Sequence, residues 1–398
     1  MRIVIIGGGI IGAALADRLA GGTVGEGAAE VTLVDRDRPG AGASGASFAW
    51  LNANDPSDPA YHSLRVAALG AWRRLAGEFG DPGWFRVTGN TAWADTEPVK
   101  TLLSERVARL SALGYRAELI TAGRLREIEP SLRPAAGAVT AHYSGEGWVH
   151  GPDAVAALAG RARDAGARVI TGVPATRLNL RGERVTGVRL GTGDDLDADL
   201  TICAAGRHSA ALLATAGVGL PLVDAEAPGS AAPGLTATTG PAPGLLNGVV
   251  HSPALDMRPT PEGGLVLEAA DLDEATDLGT PPADLHARAA ELLDRARALL
   301  PGLTARIERF RRCVRPLPAD GRPLVGPHRP GLYTAVTHSG ITLGPHLADL
   351  IAADLRDEEA ALAPYRPDRP IRAEMPSAHA GPLFGYAGTE GRDGAARS

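Results

Sequence analysis

The opening of the chain narrows its possible folds more than any other stretch. Residues 2–6, Arg-Ile-Val-Ile-Ile, are a short β-branched apolar run that ends in glycines, and Gly7, Gly9 and Gly12 complete a GxGxxG spacing. Such a run reads as a strand buried on both faces. Residues 10–20 read as a helix and residues 31–35 as the next parallel strand, so the N-terminus is a βαβ unit. In that setting the first glycine permits a tight turn, the second lets backbone approach a pyrophosphate, and the third lets helix and strand pack closely. The helix start, with Ile10 and Ile11 in its first turn, offers N–H groups and the positive end of a dipole to an anion. Asp35, 23 residues after Gly12 (35 − 12), ends the second strand and is followed by Arg36. A carboxylate there accepts from both ribose hydroxyls and repels a 2′-phosphate, which disfavours NADP. NAD and FAD both remain open at this point.

Composition narrows the class. A chain of 398 residues fits two domains sharing one ligand, and 44% hydrophobic residues suffice for a sizeable core. Its apolar runs are too short or too often broken to span a bilayer, and the N-terminus lacks a signal-peptide layout. The net charge of −6 with mixed signs argues against a nucleic-acid partner. Two cysteines, Cys203 and Cys313, make no disulfide framework and point to a reducing cytoplasm. The histidine spacing offers no metal site. Only Lys100 is a lysine, leaving 40 − 1 = 39 arginines, which reads as a GC-rich coding sequence.

Further along, residues 61–79 read as a helix with Leu64, Ala68, Leu69, Trp72 and Leu75 on one face. Residues 85–94 and 138–143 read as strands around a helix over 98–113, the pattern of an α+β insert. A helix over 153–165 and strands over 168–171, 175–180, 184–190 and 200–204 follow. Residues 224–248, rich in Pro, Gly, Ala and Thr, carry few clear elements. Helices are expected over 283–300 and from Pro345 to about Leu355, and residues 372–398 read as a disordered tail.

A family resemblance decides between NAD and FAD. Gly42-Ala-Ser-Gly-Ala-Ser-Phe-Ala-Trp50 resembles the small-residue loop of the D-amino-acid oxidase, glycine oxidase and sarcosine oxidase family. Gly172-Val-Pro-Ala175 and Leu200-Thr-Ile-Cys-Ala-Ala-Gly206 are similar to that family's adenine-side strand start and cofactor-closing segment. Arg315-Pro316, Asp320-Gly321-Arg-Pro323, Gly326, Gly331-Leu-Tyr333 and His338-Ser-Gly-Ile-Thr-Leu-Gly-Pro345 resemble its C-terminal signature. The resemblance implies an α/β chain with a Rossmann-like FAD-binding domain of the glutathione-reductase type and an α+β substrate domain built on an antiparallel sheet. It places the FAD domain at 1–85, 146–222 and 305–371, and the substrate domain at 86–145 and 223–304.

The resemblance also implies residue roles. Ser44, Gly45, Ser47, Ala49 and Trp50 would pass the flavin, Ala175 would meet the adenine end, and Ala205 and Gly206 would close over the cofactor. Ser339, Gly340, Ile341 and Thr342 would open a helix facing the flavin pyrimidine. Arg315 falls where amino-acid oxidases keep a carboxylate-binding arginine, a structural ion pair being the other reading, and His338 falls at a polar flavin-facing position. Cys313 falls where sarcosine oxidases carry a cysteine bonded to the flavin 8-methyl group. A small buried residue with non-covalent FAD is the favoured reading there.

The implied reaction is oxidation of a C–N bond in an amine or amino acid, with hydride passing to the flavin and the imine then hydrolysed. Oxygen, or another acceptor in a dehydrogenase, would take the electrons. A flavin-binding regulatory protein is the rival from another class. Two departures stand out: Gly264-Leu-Val-Leu-Glu268 lacks the lysine of sarcosine oxidases, and residues 254–256 lack the tyrosine of glycine oxidases.

Overall fold

A computed structural model describes residues 1–24, 27–358 and 361–371. The tail expected to be disordered, 372–398, lies outside the described residues. Arg2–Ile6 is central in a six-stranded sheet, pairing in parallel with Glu30–Val34 and Leu200–Cys203. Arg168–Ile170 and Leu332–Val336 extend the parallel array, and Leu324–Arg329 closes one edge antiparallel.

Alternation along the first strand feeds two cores. Ile3 and Ile5, with Leu33 and Ile202, pack beneath helices Ile10–Leu19, Gly151–Asp164 and Gly340–Asp354. Val4 and Ile6, with Val34 and Cys203, pack on Leu178, Val185, Val188 and Leu190 of a three-stranded meander. A strand covered on both faces has no room for polar side chains, which explains the unbroken apolar run.

The second large sheet has eight strands, in the order 307–314, 233–239, 265–268, 256–259, 249–251, 90–94, 139–143 and 118–120. Its pairs are antiparallel except for Val249–His251 against Asn90–Ala94. Helix Pro282–Leu299 covers it through Leu285, Ala289, Leu292, Leu293 and Ala296. The mixed α/β architecture expected from the sequence is present.

Two expectations need correction. The 224–248 stretch holds a seven-residue strand, Pro233–Thr239, paired along its length with Ile307–Val314. Its Pro, Gly and Thr residues read as loop, whereas sheet burial on both sides makes them strand. That pairing puts Ile307–Val314, including Cys313, in the eight-stranded sheet rather than with the dinucleotide sheet. We therefore propose a boundary after Val314 instead of at 305.

The last helix begins at Gly340, not Pro345. A proline in the sixth position has no N–H for the carbonyl four residues back, Ile341. Trp72 Nε1 donates to that oxygen instead, at 2.8 Å, and to Thr342 O at 3.1 Å. Trp72 sits on helix Pro59–Glu78, whose start is fixed by Pro59 and by Asp58 accepting from the N–H groups of Ala60 and Tyr61.

Candidate active site

Between the two large sheets lies a cavity of about 890 Å³, within the usual range for a cofactor site. Gly7, Gly9, Ile10, Ile11, Asp35, Arg36, Ser44, Ser47, Ala49, Trp50, Ala175, Ala205, Gly206, Cys313, Arg315, His338, Ser339, Gly340, Ile341 and Thr342 all line it. Gly12 and Gly45 do not. Their α-carbons pack on the carbonyls of Gly7 and Gly40, where a Cβ would come within 1.8 and 2.1 Å. They shape the turns that others present to the cavity.

The cradle at one end is mostly backbone. Gly7 has φ +107°, and a Cβ there would lie 2.4 Å from Ala204 O. Asp35 accepts from Gly8 N at 2.5 Å and Asp37 N at 2.7 Å. Burial pushes the Asp35 carboxyl up, against the pull of those two N–H groups. Ser44 Oγ accepts from Ile10 N at 2.9 Å, tying the small-residue loop to the first helix.

Helices Ile10–Leu19 and Gly340–Asp354 pack side by side, with Gly340 and Gly344 against Ile10. Both N-termini open on the same cavity, which suits an anionic ligand with a polar ring. Arg36, Arg207, Arg311 and Arg312 also line it. Burial, then Arg207 and Arg36, holds the His208 imidazole down to about 4, a sign of a positive field at this end. The sequence reading missed Arg207, Arg311 and Arg312, since among 39 arginines none carries a distinguishing motif.

The loop after the cradle is held in a tense form. Ala49 takes φ +58°, uncommon for a residue with a Cβ. Ser47 Oγ accepts from its N–H at 2.9 Å, its carbonyl accepts from Val149 N at 3.1 Å, and the Phe48 carbonyl accepts from Arg258 Nε. Arg258 is buried and lies over Phe48 and Trp148, so the loop is anchored from beneath by a cation. Burial lowers that guanidinium to about 9.

The opposite wall is made of side chains. Trp50 packs on His251 with ring centres 4.0 Å apart and planes tilted by 45°, and Phe48 meets His251 edge-on at 5.8 Å. His251, Asp256 and Glu268 are cross-strand neighbours on three adjacent strands. All three line the cavity, and neither His251 nor Asp256 was singled out from sequence as a contact. Burial, then Glu268, holds the Asp256 carboxyl well above the usual carboxylate range. The Glu268 carboxyl is also raised by burial, against the pull of Arg315 and Arg258.

Arg315 reaches the same wall already engaged: it donates to Asp273, to Glu268 Oε1 at 3.2 Å and to Ala231 O at 3.2 Å. His338 lies in the loop before the last helix. Cys313 is buried opposite Gly234, and its thiol is pushed up to about 12 by burial, so it stays protonated at neutral pH. Among the described residues no group of three or more His, Cys, Asp or Glu is placed to hold a metal ion, and no helix is long and apolar enough to cross a membrane.

The chain as a whole has known relatives. Residues 2–354 match the FAD dependent oxidoreductase (DAO) family. The chain belongs to that family. It is 28% identical over 383 residues to glycine oxidase of Geobacillus kaustophilus (strain HTA426), covering 93% of this chain and 97% of that one. The crystal structure of glycine oxidase from Geobacillus kaustophilus superposes with a TM-score of 0.80 at 26% identity, over 93% of this chain and 100% of the other. D-amino acid dehydrogenase of Methylobacterium nodulans (strain LMG 21967 / CNCM I-2342 / ORS 2060) is 31% identical over 206 residues, covering 49% of this chain and 47% of that one. This DAO-family chain is thus an FAD-dependent oxidoreductase, and the cradle's converging helix ends and glycine turn suit the cofactor's pyrophosphate.

Proposed function

We propose that this protein oxidises the C–N bond of an amine or amino acid, with FAD held non-covalently as the electron acceptor. The observation that carries the reading is the likeness to glycine oxidase along nearly the full length of both chains. FAD supplies the hydride-accepting chemistry when bound. The chain's own task is to hold the amine-bearing carbon in place and exclude water. The ring wall of Phe48, Trp50 and His251 supports that task, with His338 as a further polar lining residue. A buried Cys313 thiol, pushed up by burial, supports non-covalent binding.

We also propose Arg315 as the contact for a substrate carboxylate, which would share the guanidinium with Asp273 and Glu268. Arg315→Ala should cripple turnover of a carboxylate substrate while the protein stays yellow. Unchanged kinetics would remove the role. The whole reading is tested by incubating the holoprotein with amines and amino acids plus a redox dye and assaying carbonyl product. Carbonyl product from any of them supports it, and none from the whole set contradicts it.

A dehydrogenase passing electrons to an acceptor other than oxygen is the second reading. The absence of lysine from 264–268 and the partial likeness to D-amino acid dehydrogenase favour it. Hydrogen peroxide measured against dye reduction separates the two.

A further inference from the structure

A hydrogen-bond chain behind the ring wall has no part in the function proposed above. Glu146, with no exposed surface, lies just before strand Gly147–Val149. Its Oε2 accepts from Trp50 Nε1 at 2.9 Å, Asn90 Nδ2 at 3.0 Å and Asn54 Nδ2 at 3.5 Å. Its Oε1 accepts from the Tyr115 hydroxyl at 2.6 Å. Asn90, also fully buried, directs its amide oxygen to His251 Nδ1, 2.9 Å away. With Glu146 ionised, the reverse amide orientation would set that oxygen against Oε2, acceptor against acceptor. A carbonyl oxygen only accepts, so the imidazole proton resides on Nδ1.

Burial holds His251 down to about 3, so the ring is neutral at pH 7 and Nε2 carries the lone pair. In that amide orientation a proton taken up by Glu146 would sit on Oε1, beside the Tyr115 hydroxyl, since Trp50, Asn90 and Asn54 all donate to Oε2. Oε2 would keep its donors, and the His251 tautomer would not change. The ring plane is fixed as well, by Trp50 at 4.0 Å and Phe48 at 5.8 Å.

We propose that His251 contacts the substrate, its Nε2 accepting a hydrogen bond from the amine N–H, and that Glu146 and Asn90 are positioning residues that fix its tautomer and ring plane. This rests on the amine reading above. A neutral acceptor suits an amine N–H and offers nothing to a carboxylate, so it orients the amine end of the substrate toward the Trp50–His251 wall.

The test is nitrogen NMR on the holoprotein labelled at histidine, with His251 assigned by signals lost in His251→Phe. The expected result is the Nδ1–H tautomer. Its Nε2 signal should shift on adding 2-aminoisobutyrate or tert-butylamine, whose amine-bearing carbon has no hydrogen to lose. Asn90→Leu should mix the tautomers and raise KM about tenfold with less effect on kcat, the size of one lost hydrogen bond. Glu146→Gln, which keeps an acceptor oxygen for Trp50 and Asn90, should retain both tautomer and KM. His251→Phe, which keeps an aromatic ring against Trp50 and Phe48, should raise KM by a similar factor. An Nε2–H tautomer or an imidazolium in the wild type would overturn the proposal, as would an unchanged KM in His251→Phe. A holoprotein that turns over no amine overturns the function proposed above and the contact with it. One that amines reduce equally well with and without His251 overturns the contact alone.

Discussion

The two ends of the cavity are built by different means. The cradle on the six-stranded sheet is backbone: a glycine turn at φ +107° and two helix N-termini, with Asp35 and Ser44 tying them together. The wall toward the eight-stranded sheet is side chain, gathered from separate segments that carry Trp50, His251, Asp256, Glu268 and Arg315, with Asn90 and Glu146 behind it. A backbone site tolerates no added atom. A side-chain site accepts substitution readily and changes chemistry when it does. One end therefore serves a fixed ligand and the other a variable one.

That contrast is easiest to break at Gly7. Gly7→Ala forces a Cβ into positive φ and onto Ala204 O, which should cost about 3 kcal/mol or more. Flavin affinity should fall about 100-fold, read by titrating the apoprotein with FAD. Equal affinity in wild type and variant would mean that the cradle is not where the cofactor's phosphates sit.

On the wall side, Glu146 gives the next largest effect. Burial pushes its carboxyl from the ordinary 4.5 up to about 7. Because the folded value is above the unfolded one, its contribution to stability is full below about pH 4.5 and is lost as the pH rises through about 7. Between those limits the wild type should lose roughly 3 kcal/mol relative to Glu146→Gln. Denaturant unfolding of both proteins at several pH values checks this, and parallel curves would contradict it.

The ease of reading each end from sequence follows the same division. Gly7, Gly9, Gly12 and Asp35 lie close together in the chain because one strand–helix–strand unit makes the cradle, so spacing alone pointed to it. His251, Asn90 and Glu146 meet only because Val249–His251 pairs with Asn90–Ala94 and the chain turns back after Tyr143. No local pattern encodes that meeting. Arg315 was legible as a residue, with an ion pair as one of its two readings, but its partner Asp273 was not, since it lies 42 positions away. The start of the last helix was misjudged for a related reason: the donor that rescues the Ile341 carbonyl belongs to Trp72, 269 positions away.

Trp72 gives a smaller effect that joins the two ends. Trp72→Phe keeps most of the packing but leaves the Ile341 carbonyl without the indole donor, which should cost about 1–2 kcal/mol in unfolding free energy. Weaker flavin binding should accompany it, since Ile341 opens a helix that lines the cavity. The smallest effect is expected at Cys313. Cys313→Ser should leave flavin content unchanged, and acid precipitation of the wild type should send all the yellow colour to the supernatant. Colour retained by the wild-type pellet and lost from the variant's would mean a covalent link.

The central claim is an FAD site whose far wall faces an amine. Anaerobic rapid mixing of the holoprotein with primary amines, N-methyl amino acids and D- and L-amino acids tests it most directly. The flavin should bleach with at least one member of that set, at a rate that saturates with its concentration. A flavin that stays oxidised throughout, yet bleaches with a donor that has no C–N bond, would contradict the account.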